Sequence, residues 1–166
     1  MIEEFTVQHY EHASARSFSE VVASFEAALG LVEGGIFRAE IESAKGPMDF
    51  EKVMHSHEGS SGFMRFLTVD HGAWLKNIGL NARARMYTIG NPLIAATMIK
   101  FDIEAGLNVP VRLLIYEHCA TGTVRLAYDL PSSLMSRLNN AEVAASAKKL
   151  DMKLIALAEL ATGAAP

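Results

Sequence analysis

Val111-Arg112-Leu113-Leu114-Ile115-Tyr116-Glu117-His118, followed by Thr123-Val124-Arg125-Leu126-Ala127-Tyr128-Asp129, decides the fold. Apolar side chains recur at every second position, the period of a strand whose two faces meet different surroundings. Two such runs joined through Thr121-Gly122 predict an antiparallel hairpin. With a two-residue turn, His118 lies opposite Arg125 and Tyr116 opposite Ala127. One face then carries Val111, Leu113, Ile115, Val124, Leu126 and Tyr128, and belongs to the core. The other carries Arg112, Tyr116, His118, Arg125 and Asp129, and must meet water, a ligand or another subunit. A slip of one residue would exchange the two faces.

Upstream, Phe63 to Val69 and Arg83 to Ile89 read as two further strands, with a short helix over Ala73 to Ile78 between them. The second ends at Gly90-Asn91-Pro92. Asn91 suits an N-cap and Pro92 the first helical position, where its missing N–H has no partner to lose. Leu93 to Ile99 carries no charge, so this helix is expected to be buried on most sides, with Gly106 capping its end. Phe5 to Tyr10 alternates and predicts a first strand. Ser17 and Glu20 form a capping box before an amphipathic helix from about Ser17 to Gly30. Ile36 to Glu42 is expected to be a short strand and Met48 to Met54 one or two helical turns. His55 to Gly62, polar and glycine-rich, is expected to be a mobile loop.

Downstream, Pro131 opens a short helix through about Leu138, and Asn140 caps a last helix over 141–162. Val143, Ala147, Leu150, Leu154, Leu157 and Ala161 form a stripe on it. The stripe packs against the sheet or the first helix, or else forms a dimer seam of fewer than three heptads. Together these segments predict an α+β fold. It is a two-layer α/β sandwich: a mixed, mostly antiparallel sheet, helices packed on one face, and a long C-terminal helix.

The 166 residues fit a single domain, 1–166. Half of them are apolar, enough to build a core. Fifteen Lys and Arg against nineteen Asp and Glu give a net charge of −4, which argues against a general nucleic-acid binder. One cysteine, Cys119, allows no internal disulfide and no Cys-rich metal site, and is expected to be a partly buried small apolar residue. The start lacks the layout of a secretory signal and no apolar run is long enough to span a membrane, so a cytoplasmic location is expected.

Gly90-Asn91-Pro92 with its apolar helix, Gly106-Leu107, Pro110, Leu114-Ile115-Tyr116-Glu117, Val124 and Tyr128-Asp129-x-Pro131 resemble the core motif of a prokaryotic family, the domain of unknown function 302. The resemblance is best over about 63–138. It implies a compact two-layer α/β fold and a homodimer, and no established reaction. Many members carry cysteines where this chain has Gly90 and Val111, so no thiol or metal-thiolate role transfers. The stretch from His55 to Gly62 and the long C-terminal helix look peculiar to a subgroup.

Three constellations carry chemistry. The loop Gly90-Asn91-Pro92 opens a helix whose free N–H groups suit an anion, and Arg85, Arg112 and Tyr116 on neighbouring strands would complete a ligand site. The plainer reading of Asn91 is a helix cap. Glu117 falls on the apolar face, where a carboxylate needs a partner or gains a raised pKa suited to acid–base catalysis with His118 or His71. There, Arg112 or Asn91 would hold an oxyanion. The plainer reading is that Glu117 reaches solvent or pairs with an arginine. His55-x-His57 with Asp70-His71 is a weak metal signal, and no metal site is assigned. No cofactor is called for. The leading expectation is a homodimeric module that binds a small, partly apolar anionic metabolite. A small acid–base enzyme and a protein–protein interaction module are the alternatives.

Overall fold

The structure, a computed structural model, describes residues 2–32 and 35–163. Its frame is one six-stranded sheet. The strands are β1 (His9–Ser14), β2 (Gly30–Leu31), β3 (Met64–Asp70), β4 (Ala84–Gly90), β5 (Val111–Glu117) and β6 (Val124–Asp129). They lie in the order β1-β6-β5-β4-β3-β2. Every neighbouring pair is antiparallel except β2 with β3, which makes the sheet mixed.

The hairpin that decided the fold keeps its faces and changes its register. Tyr116 lies opposite Arg125, and Glu117 opposite Val124. The shift from the expected pairing is two residues, an even number, so inward and outward side chains are conserved. Its cause is the loop. His118 donates its N–H to Thr123 O at 2.9 Å, leaving four residues in the turn, with Gly122 at φ +66°. Val111, Leu113, Ile115, Val124, Leu126 and Tyr128 are all buried. Cys119 is exposed in this loop, not partly buried.

The inner face is covered by α1 (Phe18–Ala27) and α7 (Ala141–Thr162), which also pack on each other. Ser17 and Glu20 form the expected capping box on α1. On α7, Val143, Ala147, Leu150, Leu154, Leu157 and Ala161 are buried inside this chain, so the stripe is core and not a dimer seam. Its C-terminus is closed by Arg16, whose Nη1 donates to Leu160 O and Ala161 O. A cation there offsets the exposed carbonyls of the last turn.

Several expectations at the edges are corrected. The first strand is His9–Ser14, not 5–10. Pairing with the full length of β6 selects the register His9 to Asp129 through Ser14 to Val124, which leaves Phe5 and Val7 exposed outside the sheet. Ile36 to Glu42 is not a strand; it lies in α2 (Gly35–Ser43). Phe37 and Ile41 are one helical turn apart on its packed side, and Arg38 pairs with Glu42 across another turn. The next helix, α3 (Pro47–His57), runs three turns and absorbs His55 and His57 from the expected loop. Phe50, Val53 and Met54 give it an apolar side against Val32, Phe37 and Met64. Gly34-Gly35, the pair at which the apolar pattern of the first helix ends in the sequence, lies partly outside the described residues; Gly35 begins α2.

Between β3 and β4 come α4 (His71–Leu75) and a 3₁₀ turn, Lys76–Ile78. After β4, α5 (Pro92–Ile99) begins with Asn91 as N-cap. Only Met98 on it is fully buried, and Ala96 and Thr97 face solvent, so the helix is not enclosed. Gly106 does not cap it. Lys100 is its C-cap, and Gly106 lies in a separate 3₁₀ helix, Ile103–Asn108. After β6, α6 (Pro131–Leu134) and the 3₁₀ turn Ser136–Leu138 lead into α7. No helix among the described residues is long and apolar enough to cross a membrane.

Candidate functional site

At one end of the sheet β4 stops, β5 starts, and α5 crosses above them. The chain enters α5 through Asn91, which is 5% exposed. Its Oδ1 accepts the Leu93 N–H at 2.9 Å. Its Nδ2 donates to Glu58 Oε2 at 2.8 Å and to Gly62 O at 2.9 Å. Every hydrogen-bonding atom of this amide except one acceptor lone pair is thereby committed inside the protein. Gly90, one residue before, is closely packed, so a side chain there needs its neighbours to give by a few tenths of an ångström. A Cβ there would meet Pro110 Cβ at 3.1 Å and Phe66 Cε2 at 3.2 Å.

Beneath α5 lies an apolar pocket of about 170 Å³. Phe63 and Phe66 form one wall, Ile89 and Gly90 the floor, Ile94 and Ile99 the roof. Val109, Pro110, Val111 and Leu150 close the far side. Asn91 is the one polar side chain in the wall among the described residues, and its amide is already bonded. The uncharged run of α5 therefore does not bury itself in the core; part of it lines this space.

The other expected ligand residues lie elsewhere. Arg85 points to the helix side of the sheet. It donates to Glu26 Oε1 at 3.3 Å and to Asp70 Oδ2 at 3.0 Å. The buried Tyr87 hydroxyl donates to the same Glu26 oxygen at 2.7 Å, and Arg65 Nη1 lies 3.1 Å from it. Burial, then the Glu26 carboxylate, pushes the Tyr87 phenol well above its ordinary range, so it stays a donor. The cluster ties α1 to β3 and β4 and leaves Arg85 no path to α5. Tyr116 sits on the open outer face. Its hydroxyl donates to Glu11, which also takes Arg125 Nη1 at 2.9 Å. The Tyr116 bond holds the Glu11 carboxyl below its usual range, while burial and Glu11 push Tyr116 up. Arg112 is exposed on the same face.

The acid–base set does not assemble. Glu117 is at the strand end, 3.6 Å from Arg83, and lines an open polar hollow with Arg16, Ser17 and Glu20. Its face was read correctly, but the last residue of a strand reaches solvent past the core. His118 Nδ1 faces Thr121 Oγ1 at 3.3 Å in the hairpin turn. His71 Nδ1 accepts the Trp74 indole N–H at 3.2 Å and faces a different groove, on the outer sheet face. His55 lies between Glu58 and Glu51, and His57 contacts Glu40. No group of three or more His, Cys, Asp or Glu among the described residues is placed to hold a metal ion.

A family model described as a domain of unknown function, DUF302, matches residues 39–161. The chain belongs to this family. The match runs beyond 63–138 in both directions and takes in α3 and most of α7. One solved structure, the crystal structure of an uncharacterized conserved protein DUF302 from Bacillus stearothermophilus, is similar with a TM-score of 0.66 at 15% identity. The alignment covers 92% of this chain and 97% of that one. At that identity the likeness shows the fold. No curated protein matches. Within this DUF302 chain, the two positions at which the resemblance places cysteines, Gly90 and Val111, both line the α5 pocket. The aromatic and aliphatic wall residues gave no signal in the sequence beyond the uncharged run of α5, because their convergence depends on the sheet order.

Proposed function

We propose that this DUF302 protein binds a small molecule whose apolar part sits in the pocket beneath α5. The observation that carries the reading is a space of about 170 Å³ walled almost wholly by carbon. Apolar cavities of roughly 150 Å³ stay dry and take up benzene-sized guests. The driving force is removal of the guest from water, at about 25 cal/mol per Å². A guest of six to eight heavy atoms held only this way gains about 4–6 kcal/mol, a Kd of roughly 50 μM to 1 mM. Titration of toluene or indole, followed by protein NMR, tests the reading. Shifts are expected at Ile94, Ile99 and Val111. Ala95→Leu, which adds carbon to the pocket wall from a half-exposed helical position, is expected to abolish them and leave Tm equal or higher. No shifts at saturating guest would refute it.

A second reading concerns the outer sheet face, where apolar side chains remain exposed. Leu67 and Trp74 are each 49% exposed there, beside the half-buried Met86 and Leu114. The rim mixes Glu11 and Asp129 with Arg112 and Arg125. A surface carrying both signs of charge beside exposed apolar side chains suits a self-complementary contact, so the occupant we assign is a second copy of this chain. Sedimentation of wild type and Leu114→Arg decides it. A dimer that the variant reduces to a monomer is expected; a monomeric wild type at 100 μM or so would end the idea.

A further inference from the structure

The sheet ends in two edge strands of unequal length. β2 offers only two residues. β1 offers six, paired with β6 in one unbroken register, and among the described residues no strand lies on its other side. Gln8, just before it, shows which way the backbone groups point. Its N–H donates to Ser133 Oγ at 3.0 Å and its carbonyl accepts the Leu130 N–H at 2.9 Å, both in the segment that follows β6. Backbone groups alternate along an antiparallel strand, so those of Tyr10, His12 and Ser14 also turn toward β6. His9, Glu11 and Ala13 turn their N–H and C=O groups outward, and all three residues are exposed. Native sheets block such an edge with proline, lysine or a bulge. His9–Ser14 holds no proline, no lysine and no shift of register. Its one acid, Glu11, is the charge that a neighbour must answer.

We infer that β1 pairs antiparallel with β1 of a second copy about a two-fold axis at Tyr10, joining the two sheets into one. The inference uses neither the α5 pocket nor the outer-face contact. Charge selects the axis. Centred on Glu11, the pairing sets two like carboxylates opposite each other, which destabilises a strand pair. Centred on His9, it sets Glu11 opposite Val7; centred on His12, opposite Ala13. Only the axis at Tyr10 sets Glu11 opposite a basic side chain, His9 of the second copy, and by symmetry it does so twice. His9 and Glu11 carry the outward backbone groups, so each such pair exchanges both of its backbone hydrogen bonds. Both side chains are held in place beforehand. Asp129 takes His9 Nδ1 at 2.8 Å, which leaves Nε2 free for the neighbouring carboxylate. Tyr116 and Arg125 hold Glu11. The same axis sets the exposed Tyr10 against its own copy and Ala13 against the exposed Val7.

Cysteine cross-linking reads this register. Cys119 is exposed, so every variant also carries Cys119→Ser. Tyr10→Cys puts a thiol on the axis, in a pair without backbone bonds whose Cα atoms lie about 4.5 Å apart, within the span of a disulfide. Under mild oxidation at about 100 μM protein it is expected to form a covalent dimer about tenfold or more faster than Gln8→Cys, whose thiol falls opposite His12 of the second copy. Tyr10 lies on the helix side of the sheet with its partner Tyr128, so the outer-face contact cannot join two such thiols. Leu114→Arg is therefore expected to leave the rate unchanged. Glu11→Pro removes an edge N–H that β6 does not use, and is expected to slow cross-linking about tenfold or more. His9→Glu, which sets acid against acid from an exposed position, is expected to slow it too, and His9→Lys to keep it; these two carry the test if Glu11→Pro lowers Tm. Equal rates for Tyr10→Cys and Gln8→Cys would overturn the axis. A Tyr10→Cys rate untouched by His9→Glu, or abolished by Leu114→Arg, would overturn the edge pairing itself.

Discussion

Asn91 does three things at once. It caps α5, holds the Gly62 carbonyl, and bonds the Glu58 carboxylate. Removing the side chain loses an N-cap, worth about 1 kcal/mol, and strips a donor from each of two acceptors. Asn91→Ala is therefore expected to cost about 2 kcal/mol or more in urea unfolding, with an unchanged slope. Asn91→Asp separates the roles. It keeps the cap acceptor for Leu93 but turns an oxygen toward Glu58, so it is expected to destabilise as well, and less at low pH, where one carboxyl of the pair takes a proton. An Asp variant as stable as wild type at pH 7 would mean that the Glu58 contact is unimportant. The capping role was legible from Asn91-Pro92 alone, because capping is local. The Nδ2 partners were not, since Glu58 and Gly62 lie 33 and 29 residues away and meet Asn91 only when α3 docks beside α5. Glu117 makes the complementary point: its strand face followed from period two, but its environment depended on the strand ending at that residue.

Elements with one clear period were read correctly, and those without were not. β5, β6, α1 and α7 each show a single apolar face, and each was placed within a few residues. The segment from Glu33 to Gly62 misled because Ile36 to Glu42 alternates loosely, while its helical pair, Phe37 with Ile41, spans only one turn. α5 misled differently. Its lack of charge was taken as burial on most sides, whereas part of that apolar surface lines a pocket. The α7 stripe had two readings, and the buried set decides between them. Leu154, with no exposed surface, packs within its own chain. Leu154→Ala is expected to cost about 2–5 kcal/mol through lost contacts and an unfilled space. Because the packing is internal, that loss should be the same at 1 μM and 100 μM protein. A concentration-dependent loss would return the stripe to an interface.

For the molecule as a whole, two histidines set opposite slopes on stability. His12, half-buried, stacks on Tyr128 with ring centroids 5.8 Å apart. Burial lowers its pKa from 6.5, against a smaller opposing pull from Glu159 on α7. The unfolded chain then binds this proton more readily than the fold, so stability is full above pH 6.5 and declines as pH falls below it. His55 is the reverse. Its bond to Glu58, with Glu51 adding attraction, raises its pKa above 6.5. The fold holds that proton more tightly than the unfolded chain does. Its contribution is full below pH 6.5 and fades as pH rises through the raised value. Glu11, Glu20 and Asp70, all lowered, add a further loss only toward and below about pH 4.5, their ordinary range. The two histidine slopes meet, so stability is expected to peak near pH 6.5. Urea unfolding at half-unit steps from pH 5 to 8 measures this directly. His12→Gln is expected to flatten the acid limb between pH 5 and 6.5 and leave the alkaline limb intact. His55→Gln is expected to flatten the alkaline limb alone. Because His55 bonds the same Glu58 carboxylate that takes Asn91, its loss should also loosen the first turn of α5, read as faster amide exchange at Leu93. A curve whose two limbs both survive each substitution would show that other groups carry the pH dependence and that His55 and Asn91 are not coupled through Glu58.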